Sequence, residues 1–225
     1  EEPTENPNAS KPRYIWIDAA ANFPDFANSK ENIARDLALA KDAGFTDIVV
    51  DVRPTTGDVL FKTNHVDQVK FMYAWIGSNY TKVERTATWD YLQAFVDEAR
   101  KQGLRIHAAI NTFVGGNQID GGTGLLYRDQ SKAAWATQMN MQTGITSVMN
   151  TSESAKFFNP AHPEVQTFLC NLLKDLASYD LDGIFLDRGR FLNLQADFSE
   201  ESRKQFEAYM GGIKIQNYPD DILAP

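Results

Sequence analysis

Four short apolar runs punctuate the chain, each followed by a segment whose apolar positions recur at helical spacing. The runs are YIWID (Tyr14–Asp18), DIVVDVRP (Asp47–Pro54), RIHAAINTF (Arg105–Phe113) and LDGIFLD (Leu181–Asp187). Runs this short, rich in β-branched and aromatic residues and bounded by polar positions, predict strands covered on both faces. After the first run, NSKENIARDLALAKDAG offers Asn28 as a cap and Glu31 to close a capping box. Ile33, Leu37 and Ala40 make its apolar stripe, and Gly44 stands where a helix stops. TWDYLQAFVDEARKQG predicts a second helix from a Thr88 cap to Gly103, burying Leu92, Phe95, Val96 and Ala99. PEVQTFLCNLLKDLASY predicts a third, with His162 at its start and Pro163 in its first turn, and SEESRKQFEAYMGG a fourth, capped by Ser199.

Strands alternating with helices predict an α/β fold with a parallel sheet and right-handed crossovers. Two long segments interrupt the alternation, residues 55–87 after the second strand and 114–161 after the third. Loops of this length inside a domain are usually binding loops or lids, so both favour a site over a plain connector. Only four strand-helix units are legible, whereas a closed eight-unit barrel takes roughly 250 residues. The chain is therefore expected to be either the N-terminal half of a (β/α) barrel or a smaller open sheet. A half barrel leaves strand edges to be covered by further chain or by self-association.

Side chains alternate across a strand, so the polar residues can be sorted by face. Ile15 and Ile17, then Ile48, Val50 and Val52, then Ile106, Ala108 and Ile110, then Ile184 and Leu186 make one apolar face for helices to cover. Asp18, Asp51, Arg53, His107, Asn111 and Asp187 fall on the opposite face, mostly near the strands' C-terminal ends, where barrel active sites assemble. Asp51 and His107 sit deeper and serve equally well as internal ties, Asp51 with Arg53 or with His107. Asp182, at its strand's start, reads as a turn or cap. Arg188 and Arg190 either hold Asp187 ionised or pair in solvent with Asp197 or Glu200. Aromatic residues are frequent near the expected rim: Phe23, Phe26, Tyr73, Trp75, Tyr80, Phe113, Tyr127 and Phe191. Flat ring faces suit the C–H faces of sugars, while Trp89 and Trp135 read as core.

Composition narrows the classes. With 225 residues, 43% of them hydrophobic, the chain can bury one substantial core. A net charge of −8 with scattered basic residues argues against nucleic acid as a partner, and no apolar run suggests a membrane span. Cys170 stands alone in an apolar helix and reads as a buried, inert thiol. Three histidines without paired spacing give no zinc signature, and neither a phosphate loop nor a serine-nucleophile elbow is present, so no metal or other cofactor is expected. The opening EEPTENPNASKP, residues 1–12, reads as a polar tether left after a signal has been removed, which favours export to the periplasm or cell surface, with a lipid anchor in the precursor.

The succession PRYIWID, DIVVDVRPTTGDVLF, FVDEARKQGLRIHAAINTF, FFNPAHPEV and YDLDGIFLDRGRF resembles the catalytic domain of the glycosyl-hydrolase-like family 10 proteins from about residue 13 to the end. The family's HAWxNP-like strand stands here as HAAINT. A second Asp and an aromatic after its DGIFLD-like strand are replaced by Arg188 and Gly189. The Asp-Arg pair, the segment Asp197-Phe198-Ser199 and the run Tyr-Pro-Asp-Asp-Ile resemble one subset of the family. The resemblance implies a TIM-barrel domain over residues 13–225, incomplete at its C-terminus, hydrolysing glycosidic bonds of a bacterial or dietary polysaccharide. It implies Asp187 as a catalytic carboxylate with Arg53, His107 and Asn111 around the sugar. Glycoside hydrolysis takes two carboxyl groups. Asp18 or Asp51 could serve as the second, or it lies in the other half of the barrel, in which case the 225-residue chain alone is inactive. Loss of catalysis in a carbohydrate-binding barrel, or a divalent cation held by Asp51 and Asp187, are the alternative expectations.

Overall fold

Each of the four apolar runs forms a strand of one parallel sheet. The computed structural model describes residues 11–223, so the first ten residues of the expected tether lie outside the described residues. In chain order the elements are β1 (Tyr14–Ile17), α1 (Phe23–Phe26), α2 (Lys30–Asp42), β2 (Asp47–Arg53), β3 (Phe71–Ile76), β4 (Asn79–Glu84), α3 (Tyr91–Gln102) and β5 (Arg105–Asn111). They continue with β6 (Val114–Asn117), α4 (Leu125–Arg128), β7 (Gln138–Met141), β8 (Gly144–Ser147), β9 (Ala155–Phe157), α5 (Pro163–Leu176), β10 (Gly183–Asp187), α6 (Glu200–Tyr209) and α7 (Asp220–Leu223). The main sheet runs β1-β2-β5-β10, all parallel, in the sequential order expected of consecutive strand-helix units.

The four expected helices are α2, α3, α5 and α6. The caps are displaced in two of them. Ser29, one position beyond Asn28, accepts the Asn32 N–H at 3.1 Å, because Asn28 is engaged elsewhere. The Asn28 amide donates to Glu84 O and accepts from Thr86 N and Ala87 N, tying α2 to the end of β4. Asp90, not Thr88, caps α3 and also accepts from the Tyr179 hydroxyl at 2.6 Å. His162 and Ser199 cap α5 and α6 as expected.

The apolar face of the sheet packs against these helices. Ile48, Val50, Val52, Ile106 and Ala108 meet Leu37, Phe95, Ala99, Val165, Leu169 and Leu172 in one core. Phe23 and Phe26, expected at the rim, are buried in it, because α1 turns them inward directly after β1. Trp135 is core, as expected. Cys170 is exposed, contrary to expectation, because it points from the outer side of α5.

The two long segments are more ordered than a loop reading implies. Residues 71–84 form the antiparallel β3–β4 hairpin, whose two-residue turn uses Gly77 at φ 61°, a conformation other side chains resist. Residues 114–157 hold two further antiparallel pairs, β6 with β9 and β7 with β8. Their strands are three or four residues long and Gly-rich or irregularly patterned, which leaves little periodicity to detect.

The other face of the sheet is open. Tyr14, Trp16 and Phe185 project from it and are substantially exposed, yet they touch across its full width. Phe185 of β10 meets Tyr14 and Trp16 of β1 edge-on, with ring centroids 6.1 and 5.8 Å apart. Flat sheets space strands at about 4.8 Å, so β1 and β10 would lie roughly 14 Å apart. The sheet is therefore strongly curled about this face. Among the described residues neither the outer edge of β1 nor that of β10 pairs with another strand.

Phe95 is fully buried against Phe26 and Tyr91, with ring centroids 5.4 and 5.0 Å away. Phe95→Ala is expected to cost about 3–5 kcal/mol of stability. Leu194→Ala, at a fully exposed position, is expected to change stability by less than about 0.5 kcal/mol. Paired urea unfolding curves check both.

Candidate active site

At the carboxyl ends of β1, β2, β5 and β10 the open face deepens into a cavity of about 160 Å³. Its lining includes Asp18, Asp51, Asn111, Asp187 and Arg188 from the strand ends and Trp16 from the face below. Five of the eight sequence-predicted site residues thus converge. Trp16, Thr55 and Met72 also line the cavity. Trp16 shares a strand face with Asp18, a phase visible in the sequence. Thr55 and Met72 come from the long insertion, whose path nothing local specifies.

Each carboxylate is held differently. Asp18 follows β1 in a tight turn, its Oδ1 accepting the N–H groups of Ala20 and Ala21 at 2.8 and 2.7 Å. Asp187 ends β10, aligned with Asn111 in the ladder, and its Oδ1 accepts the Arg188 N–H at 2.7 Å. Arg188 takes a left-handed backbone conformation, φ 47°, uncommon for a residue with a side chain and found where a site constrains the chain. Asp51 is only 7% exposed. Its Oδ1 accepts the Arg53 N–H at 3.1 Å and its Oδ2 faces the Asn111 amide at 3.4 Å. Burial, reinforced by the negative charges of Asp18 and Asp187, pushes the Asp51 carboxyl up to about 7. The Arg53 N–H bond offsets only part of that.

Three predicted residues are not in the cavity. The β2–β5 register shifts between Asp51 and Arg53, so that Arg53 lies opposite Ile110 instead of continuing the Asp51 face. That bulge turns the Arg53 side chain into the interior. There it is fully buried and donates to the carbonyls of Asn111 (2.5 Å), Thr112 (3.1 Å) and Val114 (2.6 Å). Burial lowers the guanidinium to about 10, still charged at neutral pH. His107 points to the correct face but lies low on it, where its Nε2 bonds Asp47 Oδ1 at 2.8 Å, an internal tie with a partner other than Asp51. Arg190 folds onto its own loop, donating to Phe191 O and Leu192 O at 2.9 and 2.7 Å, and meets neither Asp197 nor Glu200. Asp182 is structural as expected, accepting from Ile106 N and from Arg100.

A larger cavity, about 500 Å³, is lined by Lys62, Trp89, Asp90 and Asp175 among others. Its two acids are already engaged, Asp90 as a helix cap and with Tyr179, Asp175 with Thr63. No group of three or more His, Cys, Asp or Glu among the described residues is placed to hold a metal ion.

A curled parallel sheet with acidic groups converging at its carboxyl ends has the layout of a (β/α)-barrel site. The glycosyl hydrolase-like 10 family model matches residues 11–222, and the chain belongs to that family. An S-layer-related protein of Niallia circulans is 32% identical over 217 residues, 93% of this chain and 13% of that protein. Among solved structures, alpha-L-fucosidase isoenzyme 2 from Paenibacillus thiaminolyticus superposes with a TM-score of 0.58 at 19% identity, over 94% of this chain and 28% of that one. A hypothetical protein from Ruminiclostridium thermocellum gives 0.54 at 14% identity, over 88% of this chain and 90% of that one. These structural likenesses bear on the fold, and the neighbours include TIM-barrel glycoside hydrolases. The chain thus spans about an eighth of the S-layer-related relative.

The Asp51 shift has a sign. In the unfolded chain its carboxyl ionises near 3.8, whereas in the folded protein it holds its proton to about 7. Between those values the unfolded state sheds a proton that the native state keeps, so rising pH costs stability, and above about pH 7 the loss is complete. Asp51→Asn removes this penalty. The variant is expected to exceed the wild type at pH 8 by an amount on the order of a few kcal/mol, with the gap closing toward pH 4. Denaturant unfolding of both proteins across pH 4–8 checks it.

Proposed function

We propose that this chain is the catalytic half of a (β/α)-barrel glycoside hydrolase, cutting glycosidic bonds of a bacterial or dietary polysaccharide with Asp51 and Asp187. The observation that carries the proposal is the meeting of two unlike carboxyl groups in one cavity. Asp51 keeps its proton near neutral pH because it is buried beside other acids, while Asp187 stands exposed at the strand end with the Arg188 N–H on it. A buried carboxyl that holds its proton beside an exposed one is the pattern of an acid and its partner. In the step envisaged, the Asp51 proton passes to the glycosidic oxygen. The C–O bond breaks with its electron pair going to that oxygen, and the Asp187 carboxylate supports the positive charge that develops on the sugar. Asp18, Asn111 and Arg188 would bind sugar hydroxyls from the rim, and Trp16 offers a ring face beneath them.

The open, curled face supports the further reading that β1, β2, β5 and β10 are four of eight barrel strands, residues 13–225 forming the N-terminal part of the domain. Further strands, continuing in sequence or supplied by a second copy, would cover Tyr14, Trp16 and Phe185 and pair with β10. An extracellular or cell-surface setting fits the family and the S-layer-related relative.

In the natural polypeptide, Asp187→Asn is expected to lower kcat by roughly 10²–10⁴-fold while glycan affinity stays within about threefold. Steady-state turnover beside calorimetric binding separates the two. A turnover unchanged by the substitution would mean that Asp187 takes no part in catalysis. The isolated 225-residue chain is expected to hydrolyse none of the same glycans, and turnover by it would remove the need for further strands.

A further inference from the structure

The β3–β4 hairpin carries an aromatic ladder that the core does not use. Phe71, Tyr73 and Trp75 alternate onto one face of β3, and Tyr80 joins them from β4 opposite Trp75. Met72 and Ala74, on the other face, are buried. Tyr73 and Tyr80 lie nearly parallel, with centroids 5.4 Å apart and planes at 29°, and Trp75 lies 5.2 Å from Tyr80. Trp75 is 68% exposed and Tyr80 55%. A contiguous run of exposed rings on so small an element is a binding feature more often than a stabilising one.

The ladder borders a second cavity, of about 330 Å³, closed on its far side by Gln118, Ile119 and Ser154. This cavity shares Ala20, Thr55 and Met72 with the carboxylate cavity, so the two are adjacent. No charged side chain lines it, and the nearby Lys82 and Asp120 pair with each other while Tyr73 donates to Asp120 at 2.9 Å. Ring faces beside neutral amide and hydroxyl groups suit a ligand with C–H faces and many hydroxyls. They give an ion or an acidic peptide little to hold.

We propose that the hairpin ladder and this second cavity form an outer subsite for the neutral sugar units of an oligosaccharide whose reacting bond lies at the carboxylate cavity. The inference rests on the glycoside hydrolase reading and adds that the substrate is a chain of several units. The rings stack on successive sugars, and Gln118 and Ser154 meet their hydroxyls.

The test uses the natural polypeptide carrying Asp187→Asn, so that ligands stay intact. Linear dimers and hexamers of neutral glucan, xylan, mannan and chitin are titrated against it by calorimetry. At least one series is expected to bind as hexamer tenfold or more tightly than as dimer. Trp75→Ala and Tyr80→Ala are each expected to cut that advantage roughly three- to tenfold. Leu194→Ala, exposed and outside both cavities, should leave it intact, and melting curves confirm that the variants remain folded. Equal affinity for dimer and hexamer in every series, no binding at all, or a hexamer preference untouched by both alanine variants would overturn the subsite. Failure of the catalytic reading shows separately, as turnover that survives Asp187→Asn.

Discussion

The buried guanidinium of Arg53 holds the top of the sheet together. A charge with no exposure is costly unless its donors are met, and here three main-chain carbonyls, of Asn111, Thr112 and Val114, accept from its two terminal nitrogens, leaving only the Nε without a partner. Those carbonyls belong to the end of β5 and the start of the long segment after it. One side chain thereby sets where β5 stops and in which direction the chain leaves. The Asn111 amide returns the constraint, donating to Arg53 O at 2.9 Å. With β5 so fixed, the ladder places Asp187 beside Asn111, and the Asn111 amide faces Asp51. The carboxylate cavity is thus a consequence of how an arginine outside it is satisfied.

Much of the sheet was legible because its determinants are local. Period-two alternation put Asp18, Asp51, Asn111 and Asp187 on one face, and parallel pairing in register kept them there. The bulge at Asp51/Arg53 was not legible, since strict alternation assigns Arg53 to the wrong side and only pairing with β5 reveals the extra residue. His107 had the right phase but the wrong height, and phase carries no information about depth. The displaced caps have a similar origin. Asn28 and Thr88 are ordinary cap residues, yet Asn28 is drawn to the hairpin end and Asp90 gains the Tyr179 hydroxyl as a second partner. The small strands within residues 114–157 are set by long-range pairing and turn glycines, for which a short window holds no signal.

The cavity combines two electrostatic environments within one ladder of strands. Asp18 and Asp187 sit at strand ends with main-chain N–H donors and access to water. Asp51, on an inner strand, is aligned with Ala109 and through it with Phe185, two residues before Asp187. Two residues along a strand, about 6.6 Å, separate the exposed Asp187 from the Asp51 carboxyl that resists ionisation. Position along the strand and distance from the sheet edge together select the chemistry available to an aspartate, since Asp18 on the edge strand is exposed at the level where Asp51 is buried.

The uncovered rings of Tyr14, Trp16 and Phe185 form the floor beneath this cavity. Whatever comes to rest on them also displaces water from below Asp51, and a drier floor strengthens its hold on the proton. Docking and protonation would then be linked thermodynamically: each partner that seals the floor raises the affinity for a hydrogen ion a few ångströms above it, and acidification tightens the seal in return.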